Sequence, residues 1–530
     1  MIRFKKLAWL TLCIIVFVIS QGTLEAQTGK LSGKITDEDG KPIPGVNVLL
    51  QGTRLGAPTD VEGIYNIINI PPGEYTVRIT SVGFQNKIVE GVLIESNQTT
   101  TLNQTLSEAV VQGDEIVVQA DRPVVDVTQT SSVETMTREN IEALPVQNVQ
   151  DIVNLQAGVV DGHFRGGRQG EVQYQVNGVS INNPFNNQAI VRLDRSVLQE
   201  IQVISGTFDA QYGQAMSGVV NAVLRSGQSD RFEYNFETYF GDYVAPESNE
   251  YFPHFNKIDP TTRRNFQLNL SGPTFLNNTT FLVNAQRLVD MGYLYGRRGF
   301  KPTDRSNFEN NIYNPTGDSA WVAMDYSKEW SGMFKLTNKS ISGIRISYQG
   351  ISSLSESRNY NHGWRFNPGG LSTADRFSLV HGLNWTHSIS DRLFYSFSLR
   401  QNYVNYRDYK YRNLTDPRYF DAGRPRGDGT YDNNIGGILQ GVDMGRFVQR
   451  TNAGIAKGEL TYQLNNIHLI KAGADFQVSN VEFGTPGQLV PTTQNDSLVL
   501  IPRRDLPQYQ VSHYVPRRGS FYLQDRMEWE

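Results

Sequence analysis

The sequence predicts a mainly β protein in three parts: an N-terminal β-sandwich, a small α/β domain, and an antiparallel sheet of the transmembrane β-barrel type. Aromatic residues make up 11% of the chain and it has 48 glycines, yet the mean hydropathy is −0.41. Apolar and polar residues alternate along many short segments, which indicates strands with one apolar and one polar face. After the N-terminal leader no apolar run reaches the ~20 residues that a spanning helix needs. A membrane crossing would therefore require a closed barrel.

The first 26 residues have the layout of a cleaved secretory signal peptide. A positively charged start precedes the apolar run Leu7–Val18, and a cleavage site follows between Ala26 and Gln27. The alternative is an N-terminal membrane anchor, although the apolar run is short for a spanning helix. The single cysteine, Cys13, lies in this leader, so the mature chain has no thiol for a disulfide, a nucleophile or a metal site.

The charge balance argues against a nucleic-acid-binding protein. The formal net charge is −4, and it becomes −6 when the three cations and one anion of the leader are removed. Binding to nucleic acid would require clustered Lys and Arg.

Residues 27–107 are predicted to form the β-sandwich. Short alternating segments near residues 31–36, 45–50, 63–67 and 75–80 are separated by turns that contain Gly, Pro or Asp. The sequence contains no His-x-x-Glu or His-Glu-x-x-His pair, so we predict neither a metal site nor peptidase chemistry and no cofactor.

Two short helices are predicted at the start of the α/β domain. Thr137 is a candidate N-cap for the first helix, which Pro145 ends. Asn148 is a candidate N-cap for a second helix over Val149–Leu155, with Gly158 as its stop.

A β-hairpin is predicted next. Residues 172–176 alternate Val, Gln, Tyr, Gln and Val, and Asn177-Gly178 follows. This dipeptide tolerates positive φ at both central positions of a tight turn, so the chain should return through Val179 and Ile181. A further alternating segment covers residues 198–206.

The ordered motifs of residues 123–228 resemble the plug domain of TonB-dependent outer-membrane transporters. They are RGGR, a strand closed by Asn-Gly, L-x-E-I-x-V-I-S-G, and Y-G-x-x-x-S-G-V-V-N. The motif residues are Arg165, Gly166, Gly167, Arg168, Asn177, Gly178, Tyr212, Gly213, Ser217 and Gly218. We assign the RGGR loop and the hairpin to plug structure first. Contact of Arg165 or Arg168 with ligand, or with acidic groups of the barrel lumen, is an alternative.

Two further segments carry the resemblance. The pattern G-x-I-T-D-x-x-G-x-P-I-x-G-V-x-V, at residues 33–48, resembles the carboxypeptidase-regulatory-like domain that precedes the plug in Bacteroidetes-type transporters. The linker 108–122 contains a strand-prone segment that resembles a TonB box, the segment offered to the periplasmic energy-coupling protein. The box residues are Asp114, Glu115, Ile116, Val117 and Val118. The alternative is a linker strand packed on one neighbouring domain.

Residues 229–530 are predicted to form about ten strands of a barrel. Short turns near residues 276–278, 339–343, 389–391 and 464–466 alternate with long polar loops near 241–263, 289–328, 354–375, 406–450 and 483–517. This alternation is typical of outer-membrane barrels. Plugged transporters use about 22 strands, so we expect this sequence to be the N-terminal part of a longer transporter.

The resemblance implies an outer-membrane receptor that imports a scarce ligand without catalysis. Its expected partners are a TonB-like periplasmic protein, outer-membrane lipid, and a small or oligomeric extracellular ligand, with a surface lipoprotein as a further candidate. Siderophores, cobalamin, oligosaccharides and peptides stay open as ligands, although the V-G-Y-G-T run expected of SusC-type glycan importers is missing. The alternatives are a non-transporting binding protein or adhesin, a non-functional fragment, and a secreted enzyme, for which no nucleophile elbow or P-loop is present.

Overall fold

A computed structural model describes residues 28–108, 116–120, 132–244, 258–308, 310–422, 431–432, 435–494 and 497–528. The predicted leader and the first two residues of the TonB-box-like segment, Asp114 and Glu115, lie outside these ranges. Within them, no helix has both the length and the apolar character needed to cross a membrane.

The N-terminal domain consists of two packed sheets. Its strands are β1 (Gly29–Thr36), β2 (Asn47–Leu50), β3 (Gly56–Pro58), β4 (Ile64–Ile70), β5 (Gly73–Thr80), β6 (Lys87–Ile94), β7 (Thr99–Thr101), β8 (Gln104–Thr105) and β9 (Ile116–Gln119). One sheet has the order β4-β1-β7 with β8 also paired to β1, and the other has the order β3-β2-β5-β6-β9. Inward-facing aliphatic side chains such as Leu31, Ile35, Val77 and Ile79 fill the space between them. The predicted β-sandwich is confirmed.

The second domain is a small mixed sheet with two helices. Its elements are β10 (Val133–Thr137), α1 (Arg138–Ala143), α2 (Val149–Asn154), β11 (Val159–Val160), β12 (His163–Phe164), β13 (Val172–Val176), β14 (Val179–Ser180), β15 (Leu198–Ile204) and β16 (Gly218–Leu224). The sheet order is β10-β15-β16-β13-β14, with β13 parallel to β16.

The helix caps agree in position with the sequence patterns. The Asn148 side chain accepts hydrogen bonds from the backbone N–H groups of Gln150 and Asp151, as an N-cap should. Thr137 stands at the N-cap of α1, but its side chain makes no capping hydrogen bond. Helix α2 ends at Asn154, one residue before the predicted end.

The third part is an antiparallel sheet of ten successive strands. They are β17 (Glu233–Gly241), β18 (Arg263–Pro273), β19 (Thr279–Asp290), β22 (Tyr326–Asn338), β23 (Ile344–Arg358), β24 (Ala374–Ser390), β25 (Leu393–Tyr409), β28 (Arg446–Gln463), β29 (His468–Gly484) and an interrupted last strand, β32 (Val511–Tyr514) with β33 (Arg517–Met527). The long connections contain hairpins β20–β21 (Tyr295–Arg297 and Trp321–Ala323), β26–β27 (Tyr431–Asp432 and Gly437–Ile438) and β30–β31 (Gln488–Gln494 and Ser497–Arg503), and helix α3 (Pro417–Ala422).

The barrel sheet has apolar side chains on its outer face and polar side chains on its inner face, the opposite of a sheet in a water-soluble protein. On β18, the side chains of Phe266, Leu268 and Leu270 are about 40% exposed, whereas the alternate Asn265, Gln267 and Asn269 are buried. The apolar face therefore points outward and the polar face points toward the α/β domain, as expected of a transmembrane barrel.

All four short turns lie at one end of the barrel strands, and the N-terminal domain lies at that end too. Asn69 Nδ2 donates to Ser388 Oγ at 2.6 Å, and Asn66 Nδ2 donates to Asn466 Oδ1 at 3.1 Å. Lys30 Nζ is 2.7 Å from the carboxylate of Glu528. We call this the short-turn end and the opposite one the long-loop end.

Candidate functional site

Barrel side chains that donate to backbone carbonyls help to hold the α/β domain against the inner face of the barrel sheet, beside a shared buried apolar cluster that includes Leu282, Val380 and Val404 of the barrel. Arg400 Nη1 donates to the carbonyls of Val176 and Val179 at 2.8 and 3.1 Å. The same kind of contact joins Asn402 to Ser180, Lys457 to Gly178, Lys335 to Leu224 and Arg376 to Ile190. These barrel donors recognise the path of the backbone rather than particular side chains.

The predicted hairpin is the centre of this contact. Asn177 and Gly178 have φ angles of 49° and 74°, which closes β13 onto β14 through the expected tight turn. Asn177 Oδ1 accepts from the backbone N–H of Leu224 at 2.9 Å, and its Nδ2 donates to Gln349 Oε1 on β23 at 2.8 Å. The Asn177 side chain therefore links the turn to strand β16 of the same sheet and to strand β23 of the barrel.

Two separated motif segments pack directly on each other. A Cβ on Gly167 would lie 2.5 Å from Cβ of Ser217, and a Cβ on Gly218 would lie 2.5 Å from the ring of Phe164. The RGGR loop and the SG motif are therefore a single packed unit in which glycine is required for close approach. The loop also contains positive φ angles at Arg165 and Gly166.

The remaining motif residues have different surroundings. Tyr212 is buried beside Ile204 and Val219, and this burial raises the pKa of its hydroxyl. A Cβ on Gly213 would meet nothing within 4 Å. Arg165 and Arg168 are exposed. Ligand contact by either arginine stays a prediction.

A cavity of about 490 Å³ lies between helix α2 and the sheet of the α/β domain. Its polar lining includes Asn148, Gln150, Asp151, Tyr174, Gln175 and Arg192. Gln175 is only 4% exposed, and its Oε1 has no hydrogen-bond partner among the described residues. Such an orphaned acceptor is satisfied when water or a ligand donates to it.

The N-terminal domain and the α/β domain share a buried carboxylate contact. The backbone N–H of Ser96 donates to Glu200 Oε1 at 3.1 Å, and Gln202 Nε2 donates to the Ser96 carbonyl at 2.6 Å. Burial raises the pKa of Glu200 to about 7, although the Ser96 hydrogen bonds oppose this shift. Glu200 therefore changes charge near neutral pH at a domain interface.

The described part of the box-like segment is an edge strand of the N-terminal domain. Strand β9 pairs in parallel with β6 in the register Lys87↔Ile116 to Glu90↔Gln119. This is the arrangement that the alternative interpretation, a linker strand packed on one domain, anticipated. A coupling role for Ile116–Val118 stays a prediction.

Sequence reasoning missed the donors on the barrel side. Arg400, Asn402, Lys457 and Lys335 all occur at polar positions of alternating strands, where a lumen-facing side chain is expected. A long cation at such a position was the available signal, but the partner carbonyls are more than a hundred residues away in sequence. In the described ranges no group of three or more His, Cys, Asp and Glu side chains is arranged to hold a metal ion.

Comparisons with known proteins identify two domains by sequence. Residues 31–118 match the CarboxypepD_reg-like domain, and residues 125–220 match the TonB-dependent Receptor Plug Domain. The first match ends inside β9, so the family domain includes most of this edge strand.

Individual proteins of similar sequence are TonB-dependent transporters or receptors. The chain is 26% identical over 227 residues to the TonB-dependent transporter Oar of Myxococcus xanthus, a match to 39% of this chain and 21% of Oar. It is 33% identical over 115 residues to the TonB-dependent receptor P39 of Formosa agariphila, which is 22% of this chain and 10% of that protein.

The fold resembles that of a solved transporter. The outer membrane transporter YddB from Escherichia coli superposes with a TM-score of 0.51 at 14% identity, over 75% of this chain and 54% of YddB. The match thus spans about half of the YddB chain, and it supports the fold alone. Together with the two family domains, these relatives show that the chain is similar to TonB-dependent receptors and has a CarboxypepD_reg-like domain ahead of a plug domain.

Proposed function

We propose that this receptor imports a scarce ligand across the outer membrane through a plugged β-barrel, driven by energy coupling from the inner membrane. The observation that carries the proposal is the docking of the plug on the inner face of the barrel through side-chain-to-carbonyl hydrogen bonds. A signal peptide at residues 1–26 would export the chain, and its short-turn end would face the periplasm.

Polar docking suits a plug that must move. An apolar interface would lose its stabilisation in proportion to the area exposed when the plug shifts. The donors Arg400, Lys457 and Asn402 instead exchange a carbonyl for water, and a typical hydrogen bond contributes only ~0.5–1.5 kcal/mol net. These hydrogen bonds therefore rearrange at little cost, whereas the apolar contact of the plug core with Leu282, Val380 and Val404 would cost free energy if it were exposed.

The ligand class is proposed only as far as the lining residues allow. The polar side chains that line the cavity beside α2 are mostly amides, with Tyr174 as a phenol and Asp151, Asp161 and Arg192 as charged groups, and aliphatic side chains line the rest. Amide-rich surfaces recognise ligands with many hydroxyl or amide groups. Oligosaccharides and peptides fit this lining directly, while siderophores and cobalamin stay candidates through their own amide and hydroxyl groups.

To test import, cells are incubated in a medium that contains a defined mixture of ferric siderophores, cobalamin, oligosaccharides and peptides, and the loss of each class from the medium is measured. Energised cells that carry the receptor should remove one class from the medium, as measured by mass spectrometry. Cells with residues 114–118 deleted should bind that class but not deplete it further. Deletion without effect on depletion would reject energy coupling through this segment.

The competing function is a binding protein or adhesin that does not transport. In that case, the intact receptor and the deletion variant would retain the same ligand at the cell surface, and dissipation of the proton gradient would change nothing.

A further inference from the structure

A second cavity, of about 370 Å³, lies at the short-turn end, where the three parts of the molecule meet. Its wall consists of residues 71–75 of the N-terminal domain, Arg138, Asn177, Gln199 and residues 223–228 at and after the end of the plug sheet, and Lys339 and Arg345 of the barrel. We call it the junction cavity. Its volume is within the range of small-molecule sites, which is ~300–1,000 Å³.

The junction cavity is on the lumen side of the barrel sheet. On β23, Ser347 and Gln349 are fully buried on the inner face, whereas Tyr348 is 36% exposed on the outer face. Alternate residues of a strand share a face, so Arg345 also points inward. The barrel wall therefore separates the cavity from membrane lipid, and a ligand must reach it from the aqueous phase.

The side chains that line the junction cavity are predominantly cationic. One carboxylate, that of Glu74, stands against four cations, which are Arg138, Arg225, Lys339 and Arg345. Arg138 Nε is 2.6 Å from Glu142 Oε1, but Glu142 does not line the cavity. A wall with this excess of positive charge attracts anions and repels cations.

Arg225 is the buried donor of the junction cavity. It is only 8% exposed, and its Nε has no hydrogen-bond partner among the described residues. Its Nη1 lies 4.0 Å from Glu233 Oε2, which is too far for a hydrogen bond. Burial and then the positive charge of Arg138 lower the pKa of Arg225. A buried guanidinium N–H without an acceptor is costly, and an anion in the cavity would supply that acceptor.

We propose that the junction cavity binds a soluble phosphate-class oxyanion between Arg225 of the plug and the barrel residues Arg345 and Lys339. Guanidinium groups match the oxygens of phosphate with paired N–H donors, and lysine adds a point charge. The oxygens of a phosphate group point in several directions, so they accept from cations on opposing walls. The two oxygens of a carboxylate lie in one plane and satisfy fewer of these donors.

A bound oxyanion would join parts of the chain that are far apart in sequence. It would link the end of β16 to the start of β23, below the turn at residues 71–73. It would therefore stabilise the closed arrangement of plug, barrel and N-terminal domain. The site goes beyond the proposed import, because its occupation does not require that any ligand is transported.

The probe is inorganic pyrophosphate, and the measurement is isothermal titration calorimetry with the full-length receptor in detergent. Pyrophosphate should bind saturably, with one anion per receptor, and orthophosphate should bind more weakly. Acetate at the same ionic strength should give no saturable binding. Absence of saturable pyrophosphate binding, or equal binding of acetate, would overturn the proposal.

Three variants locate the bound anion. Arg225→Gln removes the buried guanidinium and should weaken pyrophosphate binding about tenfold or more, the equivalent of ~1.4 kcal/mol. Lys339→Gln should weaken it about fivefold, ~1 kcal/mol, and because Lys339 is exposed this change preserves the fold. The matched control is Arg54→Gln, at an exposed position of the N-terminal domain away from the cavity, which should stay within about twofold of the wild type. If Lys339→Gln bound as tightly as the control, the proposal would be wrong even if Arg225→Gln failed to fold.

Hydrogen exchange distinguishes the junction cavity from the cavity beside α2. Pyrophosphate should slow exchange at residues 73–75 and 223–228 of the wild-type receptor. Slower exchange at residues 148–151 instead would place the anion beside α2 and overturn the proposal. Import measured for Lys339→Gln keeps the two functions apart: normal import with weakened anion binding would leave the proposed function intact, and anion binding by a receptor that imports nothing would leave this site intact.

Discussion

Two glycines of the plug motif that look equivalent in the sequence are predicted to differ in their steric requirement. A Cβ at Gly218 would lie 2.5 Å from the buried ring of Phe164, whereas a Cβ at Gly213 meets nothing within 4 Å. We expect Gly218→Ala to destabilise the plug by ~1–3 kcal/mol because a side chain is forced into a packed site. Gly213→Ala should change the stability by less than ~0.5 kcal/mol. The urea concentration at which the plug becomes sensitive to protease checks both, and equal midpoints would contradict the packing of these two motifs.

Glu200 makes the contact between the N-terminal domain and the plug pH-dependent. Its pKa of about 7 lies above the value of 4.5 for an unperturbed glutamate, so the folded state binds the proton more tightly than the unfolded state. The stability that this carboxyl contributes is therefore complete below about pH 4.5 and is lost as the pH rises through about 7.

The resulting prediction concerns hydrogen exchange at residues 96–98. Protection of this turn should fall between pH 5 and pH 8, after correction for the intrinsic exchange rate. In Glu200→Gln the amide oxygen still accepts from Ser96 but does not titrate, so the corrected protection should stay constant. A wild-type profile as flat as that of the variant would show that Glu200 keeps one charge state throughout this range.

At the scale of single elements, the tight turn at Asn177 is predicted to stabilise the plug through its side chain as well as its backbone. Asn177→Gly keeps the positive φ but leaves Leu224 N–H and Gln349 Oε1 without their partners. We expect a loss of ~1–3 kcal/mol, the cost of unsatisfied buried groups. The control is Asn278→Gly, at a turn residue of φ 48° that is exposed at the short-turn end. Hydrogen exchange of β13 and β14 should increase only in the Asn177 variant, and a similar response from both would reduce the role of Asn177 to its backbone conformation.

The elements that were predictable from sequence are those with local signals. Asn177-Gly178 defined its hairpin because few residues tolerate positive φ, and the alternation of apolar and polar residues indicated barrel strands because lipid and lumen impose opposite polarity on successive side chains. The four short turns and five long loops followed from the same alternation.

The contacts between distant elements were not predictable. Nothing near Ile116 indicates that β9 pairs with β6, because the register depends on an edge nearly thirty residues away in sequence. Likewise, Arg400 and Lys335 look like ordinary lumen residues until the carbonyls of the plug are placed opposite them. The contact of Gly218 with Phe164 has the same origin, since the glycine is required by a ring that lies more than fifty residues earlier.

At the scale of the whole molecule, the N-terminal domain connects the plug to the barrel. It contacts the plug through Ser96, which donates to Glu200, and it contacts the barrel turns through Asn66 and Asn69. Its edge strand β9 also belongs to the segment that leads into the plug. A displacement of this domain would therefore break contacts with the plug and with the barrel at the same time.

The position of the N-terminal domain is predicted to depend on one buried ion pair. Lys30 is almost fully buried, its Nζ lies 2.7 Å from Glu528, and Thr99 Oγ1 donates to the other carboxylate oxygen at 2.6 Å. Lys30→Met leaves this carboxylate without its cation, and breaking a buried pair in this way typically costs ~3–5 kcal/mol. The surface pair of Lys41 with Asp39 provides the control, Lys41→Met, because exposed pairs contribute ~0–1 kcal/mol.

Spin labels are placed on cysteines at Val82, which is exposed in the N-terminal domain, and at Ile389, which is exposed in a barrel turn. They report the distance between the two parts, and residues 14–530 contain no native cysteine that would interfere. The distance distribution should be narrow in the wild type and in Lys41→Met, and broad or shifted in Lys30→Met. A distribution that stays narrow in Lys30→Met would mean that the other contacts of the domain with the barrel, such as those of Asn69 and Asn97, suffice to hold it. A broad distribution in the wild type would mean that the domain does not rest on the barrel in solution.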